Sequence, residues 1–286
     1  MSQLTLDERV TLSPLEENRG GETTASRIAS ANQVPVNKTA ALRVSPERIL
    51  LALVGIIATL VVIGIASRLT IYSVAPNFHD DPQAAPKIAR LLSRFDLGFE
   101  PSVSAWYSSL ALCASAGTLA IVGLLHRSRN EPSVMWFLLG IIFVGLSLDE
   151  MVMFHETLDN TLRSRLGTGG LLHFAWVIPA SLLVLAVGLT YLRFLMNLPL
   201  RTRALFLLAG GLFVGGAIGV ELLEGAIVDS GGLNSVTFTL VQALEEGLEM
   251  IGVAVFLYAL LDYLRKEFGV FPLNWSQNYL QPEQSA

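Results

Sequence analysis

Apolar residues gather along this chain into six long runs separated by short polar stretches, at about 48–67, 104–125, 133–154, 171–194, 204–227 and 236–261. Each is near the roughly 20 residues that an α-helix needs to cross a hydrocarbon core of about 30 Å. The expected fold class is all-α, a polytopic membrane bundle of six transmembrane helices. Residues 1–45 are rich in Ser, Thr, Asn and Glu with little apolar periodicity and read as a disordered tail. The expected organisation is that tail, a membrane domain over 46–264 and a second tail over 265–286. The first apolar run follows too long a polar stretch for a cleaved signal peptide, so it reads as a retained helix.

Basic residues flank the runs unevenly. Arg43 and Arg48, Arg127 and Arg129, Arg193, Arg201 and Arg203, and Arg265 and Lys266 share one side. The positive-inside rule then puts both termini in the cytoplasm of a bacterial inner membrane. The opposite loops hold Arg68, Lys87, Arg90, Arg94, Arg163 and Arg165. Within them, Ile88, Leu91, Leu92 and Phe95 of "PKIARLLSRFDLGF" recur at helical spacing, which predicts a short helix lying in the membrane interface or packed on the surface. In the fifth run Gly211, Gly215 and Gly219 form a stripe expected to admit a close neighbouring helix.

Polar groups interrupt three of the runs at one depth. The third ends in "GLSLDEMVMFHETLDN", carrying Asp149, Glu150, His155 and Glu156. The fifth reaches Glu221 and Glu224, and the sixth opens with Thr239, Gln242, Glu245, Glu246 and Glu249. At about 100° per residue, Glu221 and Glu224 share a face with Val214 and Ala217, and the sixth run carries one polar stripe. In the third run Asp149, Met153 and Glu156 share a face while Glu150 and His155 flank it, so the four polar groups cannot meet one point unless the helix breaks there.

A carboxylate at the centre of a membrane helix costs at least ~2.5 kcal/mol, so such a set needs compensation by protonation, by water or by a bound cation, or by loop arginines (Arg90, Arg94, Arg163, Arg165) folding over it. Carboxylates with a His suit a divalent metal ion such as Zn, Mn or Fe. The candidate metal ligands are Asp149, Glu150, His155, Glu156, Glu221, Glu224, Glu245, Glu246 and Glu249, with His173 as a further donor. "ELLE" and "EGLE" offer Glu-x-x-Glu spacing, whereas the absence of Glu-x-x-His speaks against a ferritin-like di-iron centre. The bland alternative is that these groups are hydrogen-bonded glue between helices, or simply wet helix ends. His79 with Asp80 and Asp81 reads as a solvated loop cluster, His126 as an interfacial residue, and Trp106 with Tyr107 as an aromatic belt. Glu100 reads as a capping or dipole residue at the start of the second run.

Composition sharpens the class. The chain is 52% hydrophobic and 15% charged, against about 25% charged in soluble domains. Its net charge of -5 and lack of a basic cluster exclude nucleic acid as a partner, leaving membrane lipid and either a second copy or another membrane protein. The one cysteine, Cys113, falls inside the second run, which rules out an internal disulfide or a cysteine metal site.

"LGFEPSVSAWYSS", then "LSLDEMVMFHE" and a late "EEGLEM", resemble a group of uncharacterised multi-pass bacterial membrane proteins. The resemblance spans about Phe95 to Tyr263 and implies a shared helical membrane domain with a site at Asp149, Glu150, His155, Glu156, Glu245, Glu246 and Glu249. It implies no activity. Where that group shows a Pro-Thr-Trp-Phe-like entry this chain has Ser-Val-Ser-Ala-Trp-Tyr. Membrane hydrolases related to alkaline ceramidases need several intramembrane histidines, including a His-x-x-x-His pair, and the four histidines here include none.

Two functional classes fit this pattern. One is a metal-binding membrane protein, in its fullest form a metal-dependent enzyme. The other is a cation- or proton-coupled transporter or channel subunit, or an assembly partner. The inner halves "WFLLGIIFVG", "ALFLLAGGLFVGG" and "GVAVFLYALL" carry almost no polar groups, which favours a closed, one-sided site.

Overall fold

Ser45 starts the first helix by accepting a hydrogen bond from the Arg48 backbone N–H at 3.3 Å, with Pro46 at the first helical position where its missing N–H costs nothing. This helix, α1 (Pro46–Val74), runs 29 residues. The computed structural model describes residues 45–76, 78, 82–99 and 101–269, all within one unit, Leu42–Trp275. The expected N-terminal tail, the His79–Asp81 cluster, Glu100 and most of the expected C-terminal tail lie outside the described residues.

After α1 come α2 (Lys87–Leu92), α3 (Val103–Ser128), α4 (Val134–Val152), α5 (Phe154–Leu166), α6 (Val177–Asn197), α7 (Leu200–Val214), α8 (Glu221–Asp229) and α9 (Val236–Tyr263). A π-helical segment, Gly215–Val220, joins α7 to α8, and another, Leu264–Phe268, extends α9. The described residues contain no strand. Among the described residues, six helical stretches are long and apolar enough to cross a membrane, counting α7 to α8 and α9 with its extension as one each.

The stretches run alternately up and down. At the end here called the base, Arg265 pairs with Glu47 at 2.8 Å and Tyr191 donates to the Met135 carbonyl at 3.0 Å. At the opposite end, the crown, Tyr72 donates to the Leu233 carbonyl at 3.1 Å. α9 is the central post: 72% of its apolar window is buried, against 11% for α1 and for α6. Around its lower half Trp136, Phe206, Phe256 and Leu260 form the largest apolar cluster. His126, read from sequence as interfacial, stacks on Trp136 there and bonds the Tyr263 hydroxyl at 2.9 Å.

α3 and α4 meet along a seam of small polar groups. Ser147 Oγ lies 2.9 Å from Ser109 Oγ and 3.1 Å from Cys113 Sγ. The Gly211, Gly215 and Gly219 stripe does not receive a helix, since a Cβ on any of them would meet open space. Close approach happens one residue over. A Cβ on Gly216 would come 2.8 Å from the Glu245 carbonyl oxygen, and one on Gly252 would come 2.8 Å from the Phe213 amide nitrogen. Gly216 continues the face that Ala209 and Phe213 already turn toward Gly252, on the opposite side of the helix from the glycine stripe, and the π turn that begins there rotates Glu221 and Glu224 onto that face. A short helix forms where the spacing predicts it: in α2 Ala89 is buried while Ile88 and Leu91 are exposed, as is Phe95 in the 3-10 turn that follows.

Candidate functional site

The carboxyl groups of α8 and α9 meet at the crown. Glu224 is 3% exposed and Glu245 is 8% exposed, and the carboxyls of Glu221 and Glu224 both lie within hydrogen-bonding reach of that of Glu245. The π segment delivers this contact: Gly216 lets α9 approach at Glu245 to Glu249, and Glu221 and Glu224 then come on the first turn of α8. Glu224 Oε1 is buried with no hydrogen-bond partner among the described residues. Two carboxyls in such contact require a proton or another cation between them, as bare carboxylate oxygens repel.

α4 does break where its polar groups would otherwise diverge. Met153 adopts φ 59° and ψ 44°, the left-handed region, and its N–H closes α4 on the Asp149 carbonyl at 2.7 Å. For a non-glycine residue this conformation costs on the order of 1–2 kcal/mol. The kink brings His155 back over Asp149, which accepts from the His155 backbone N–H at 3.1 Å and pairs with its Nδ1 at 2.8 Å. The imidazole packs on Trp176, with centroids 5.0 Å apart, and the Trp176 indole N–H donates to Glu221 Oε1 at 2.9 Å. Asp159, one turn beyond His155, accepts from the backbone N–H groups of Ala175 and Trp176 and so caps the start of α6. The α4–α5 corner thereby meets the carboxyl triad at the Trp176 ring.

On the other flank stands a cation that belongs to α1. Arg68, expected in a loop, lies inside the helix with its side chain 3% exposed. It pairs with Asp96 at 2.9 Å and donates to Gln242 Oε1, one turn before Glu245, while its charge also acts on Glu224. Arg90, Arg94, Arg163 and Arg165, the loop arginines expected to fold over the carboxylates, are all exposed.

The expected ligands therefore divide. Glu221, Glu224 and Glu245 form the centre, and Asp149 and His155 a dyad beside it. Glu249 lies against Gly216 and adds its charge near Glu245. Glu156 is exposed, while Glu150 and Glu246 are half-buried. His173 is buried, but it faces Asp229 at 3.4 Å across the tight contact at Gly225. Among the described residues, no three His, Cys, Asp or Glu side chains are set out to hold a metal ion. Trp176, Asp159, Arg68 and Asp96 escaped the sequence reading. Arg68 had a signal, a lone arginine followed by seven more residues before Pro76; Asp96, set between Phe95 and Leu97, and Asp159, in a polar stretch, have none.

A family model matches residues 46–264, most of the chain. The chain belongs to the family described as Domain of unknown function (DUF8692). The matched segment runs from the start of α1 to the end of α9 and contains every residue of the site. No curated protein and no solved structure matches the chain.

Proposed function

We propose that this multi-pass membrane protein takes up a small cation in a buried acidic site that opens on one membrane face. The observation that carries the reading is the meeting of Glu221, Glu224 and Glu245, with a buried carboxyl oxygen left unpartnered. Three formal negative charges in this space, beside a guanidinium already paired with Asp96, are stable only with added positive charge. The first reading takes that charge to be a proton, which a carboxyl-to-carboxyl contact holds without further ligands.

A divalent metal, Zn, Mn or Fe, is the second reading, and the unpartnered Glu224 Oε1 favours it. It requires the three side chains to turn toward a common point. Below the triad, Phe143 and Phe206 close on Phe256 at 4.5 and 4.7 Å, an apolar plug that supports a one-sided site over a path through the bundle. By the positive-inside rule the base, with Arg48, Arg127, Arg201, Arg265 and Lys266, faces the cytoplasm of a bacterial inner membrane, and the crown faces outward.

The test is labelling of the intact protein in detergent at neutral pH with a hydrophobic carbodiimide: a protonated buried carboxyl adds across its C=N bond, proton to nitrogen and oxygen to carbon, and the O-acylisourea rearranges to a stable N-acylurea. Peptide mapping should place the adduct on Glu224 or Glu245, and Glu245→Gln should reduce it at least tenfold. Elemental analysis of the same preparation addresses the metal: stoichiometric Zn, Mn or Fe, with protection from labelling, supports the second reading. Neither adduct in the triad nor bound metal sinks both.

A further inference from the structure

The short helix α2 and its 3-10 turn present three different sides. The back is buried, where Ala89 packs with Ile71, Ala75, Phe78 and Ala85 at the crown end of α1. At about 100° per residue Lys87, Arg90 and Arg94 share a second side, and Ile88 and Leu91 lie on the side adjoining it. All five are exposed, as is Phe95. From Lys87 to Phe95 the chain carries three basic residues and no acidic one. Among the described residues, none of the three cationic side chains is engaged in an ion pair or hydrogen bond.

The depth of this helix follows from that of α1. The 29 residues of α1, at a rise of about 1.5 Å each, extend about 43 Å, close to the roughly 40–45 Å of a bilayer with its headgroups. Packing on its last turn, through Ile71 and Ala75, puts α2 at headgroup level. An exposed apolar side has acyl chains to enter there, and an unpaired basic side meets phosphate. We propose that α2 lies along the crown-side face of the membrane and binds anionic phospholipid, with Ile88, Leu91 and Phe95 in the acyl region and Lys87, Arg90 and Arg94 on the headgroup phosphates. The charges stand on a fixed backbone, since Ala89 and Ser93 are buried and Asp96, directly after the turn, pairs with Arg68 at 2.9 Å. Such a surface is organised before the lipid arrives, which lowers the entropy lost on binding. The inference is independent of the cation reading of the carboxyl triad.

Native mass spectrometry tests it on the intact protein in detergent, offered equal amounts of phosphatidylglycerol and phosphatidylcholine with the same acyl chains. The expected result is a preference of at least about tenfold for phosphatidylglycerol, falling below about twofold in Lys87→Gln/Arg90→Gln/Arg94→Gln. Arg163→Gln/Arg165→Gln, which removes the exposed crown cations of α5, should keep the preference within about twofold of wild type. Size-exclusion behaviour and the thermal midpoint monitor the fold. If the triple variant does not fold, crosslinking of the wild-type chain to a phosphatidylglycerol with a photoactivatable headgroup decides, and the adduct should map to 87–95. No preference in the wild type, a preference that survives the triple variant or falls equally in the α5 variant, or adducts confined to other segments overturns the inference. Displacement of the lipid by soluble glycerol phosphate, the mark of a free-anion site, overturns it as well. So does a dimer that the triple variant loses, which gives the surface to a second copy.

Discussion

Gly216 and Glu245 touch so closely that a Cβ on the glycine would lie 2.8 Å from the glutamate's carbonyl oxygen. The obstacle is backbone, which cannot swing aside, so Gly216→Ala must part α9 from the π segment. It should cost about 1–3 kcal/mol, the usual penalty of overpacking, and reduce triad labelling. Gly211→Ala faces open space and should leave the thermal midpoint in detergent unchanged or raised. Equal effects at the two positions would contradict the packing described.

The left-handed conformation of Met153 is what folds His155 back onto Asp149. Glycine adopts it freely, whereas a β-branched residue is strained there. Met153→Gly should thus stay within about 1 kcal/mol of wild type, the backbone strain it relieves being offset by greater freedom in the unfolded chain. Met153→Ile should cost at least about 1–2 kcal/mol. Amide hydrogen exchange at His155, whose N–H bonds the Asp149 carboxylate, should quicken in the isoleucine variant alone.

At the base, Asp262 is 2% exposed and holds Arg201 at 3.0 Å, Arg265 at 2.8 Å and Lys266 at 2.8 Å. Its partners are largely exposed, which limits the cost of losing the anion. Asp262→Asn should lower stability by about 1–3 kcal/mol, less than the 3–5 kcal/mol of a fully buried pair. The loss should shrink in high salt, which screens the repulsion among the three cations left behind. Triad labelling should not change, since the aromatic plug separates the two ends.

Membrane class, helix number and the depth of the acidic groups were legible in the sequence because each depends on local quantities. Run length against bilayer thickness predicts six stretches, and helical period places Glu221 with Glu224 and Gln242 with Glu245. Helical period also set a condition, that the four polar groups of the third stretch cannot meet unless the helix breaks; it does break, and the break joins Asp149 with His155 while Glu156 stays exposed. What periodicity does not reach is where a regular helix stops being regular. The first helix runs on past its apolar core, which carries Arg68 from an expected loop into a buried pair with Asp96.

The sequence by itself determined that this protein is an all-helical bundle with six membrane-length stretches and ionisable groups gathered near one end. Tertiary structure alone decided which of those groups meet. The π segment at Gly215–Val220 turns Glu221 and Glu224 onto the face that Gly216 packs against α9, and the kink at Met153 turns His155 toward Trp176 while leaving Glu156 exposed. Residues far apart in the chain, Arg68 with Gln242 and Trp176 with Glu221, become neighbours through helix packing. A hydrophobic period sets which face of a helix turns inward, but a contact between helices depends on rotation and depth to within one residue, and a single inserted residue changes both.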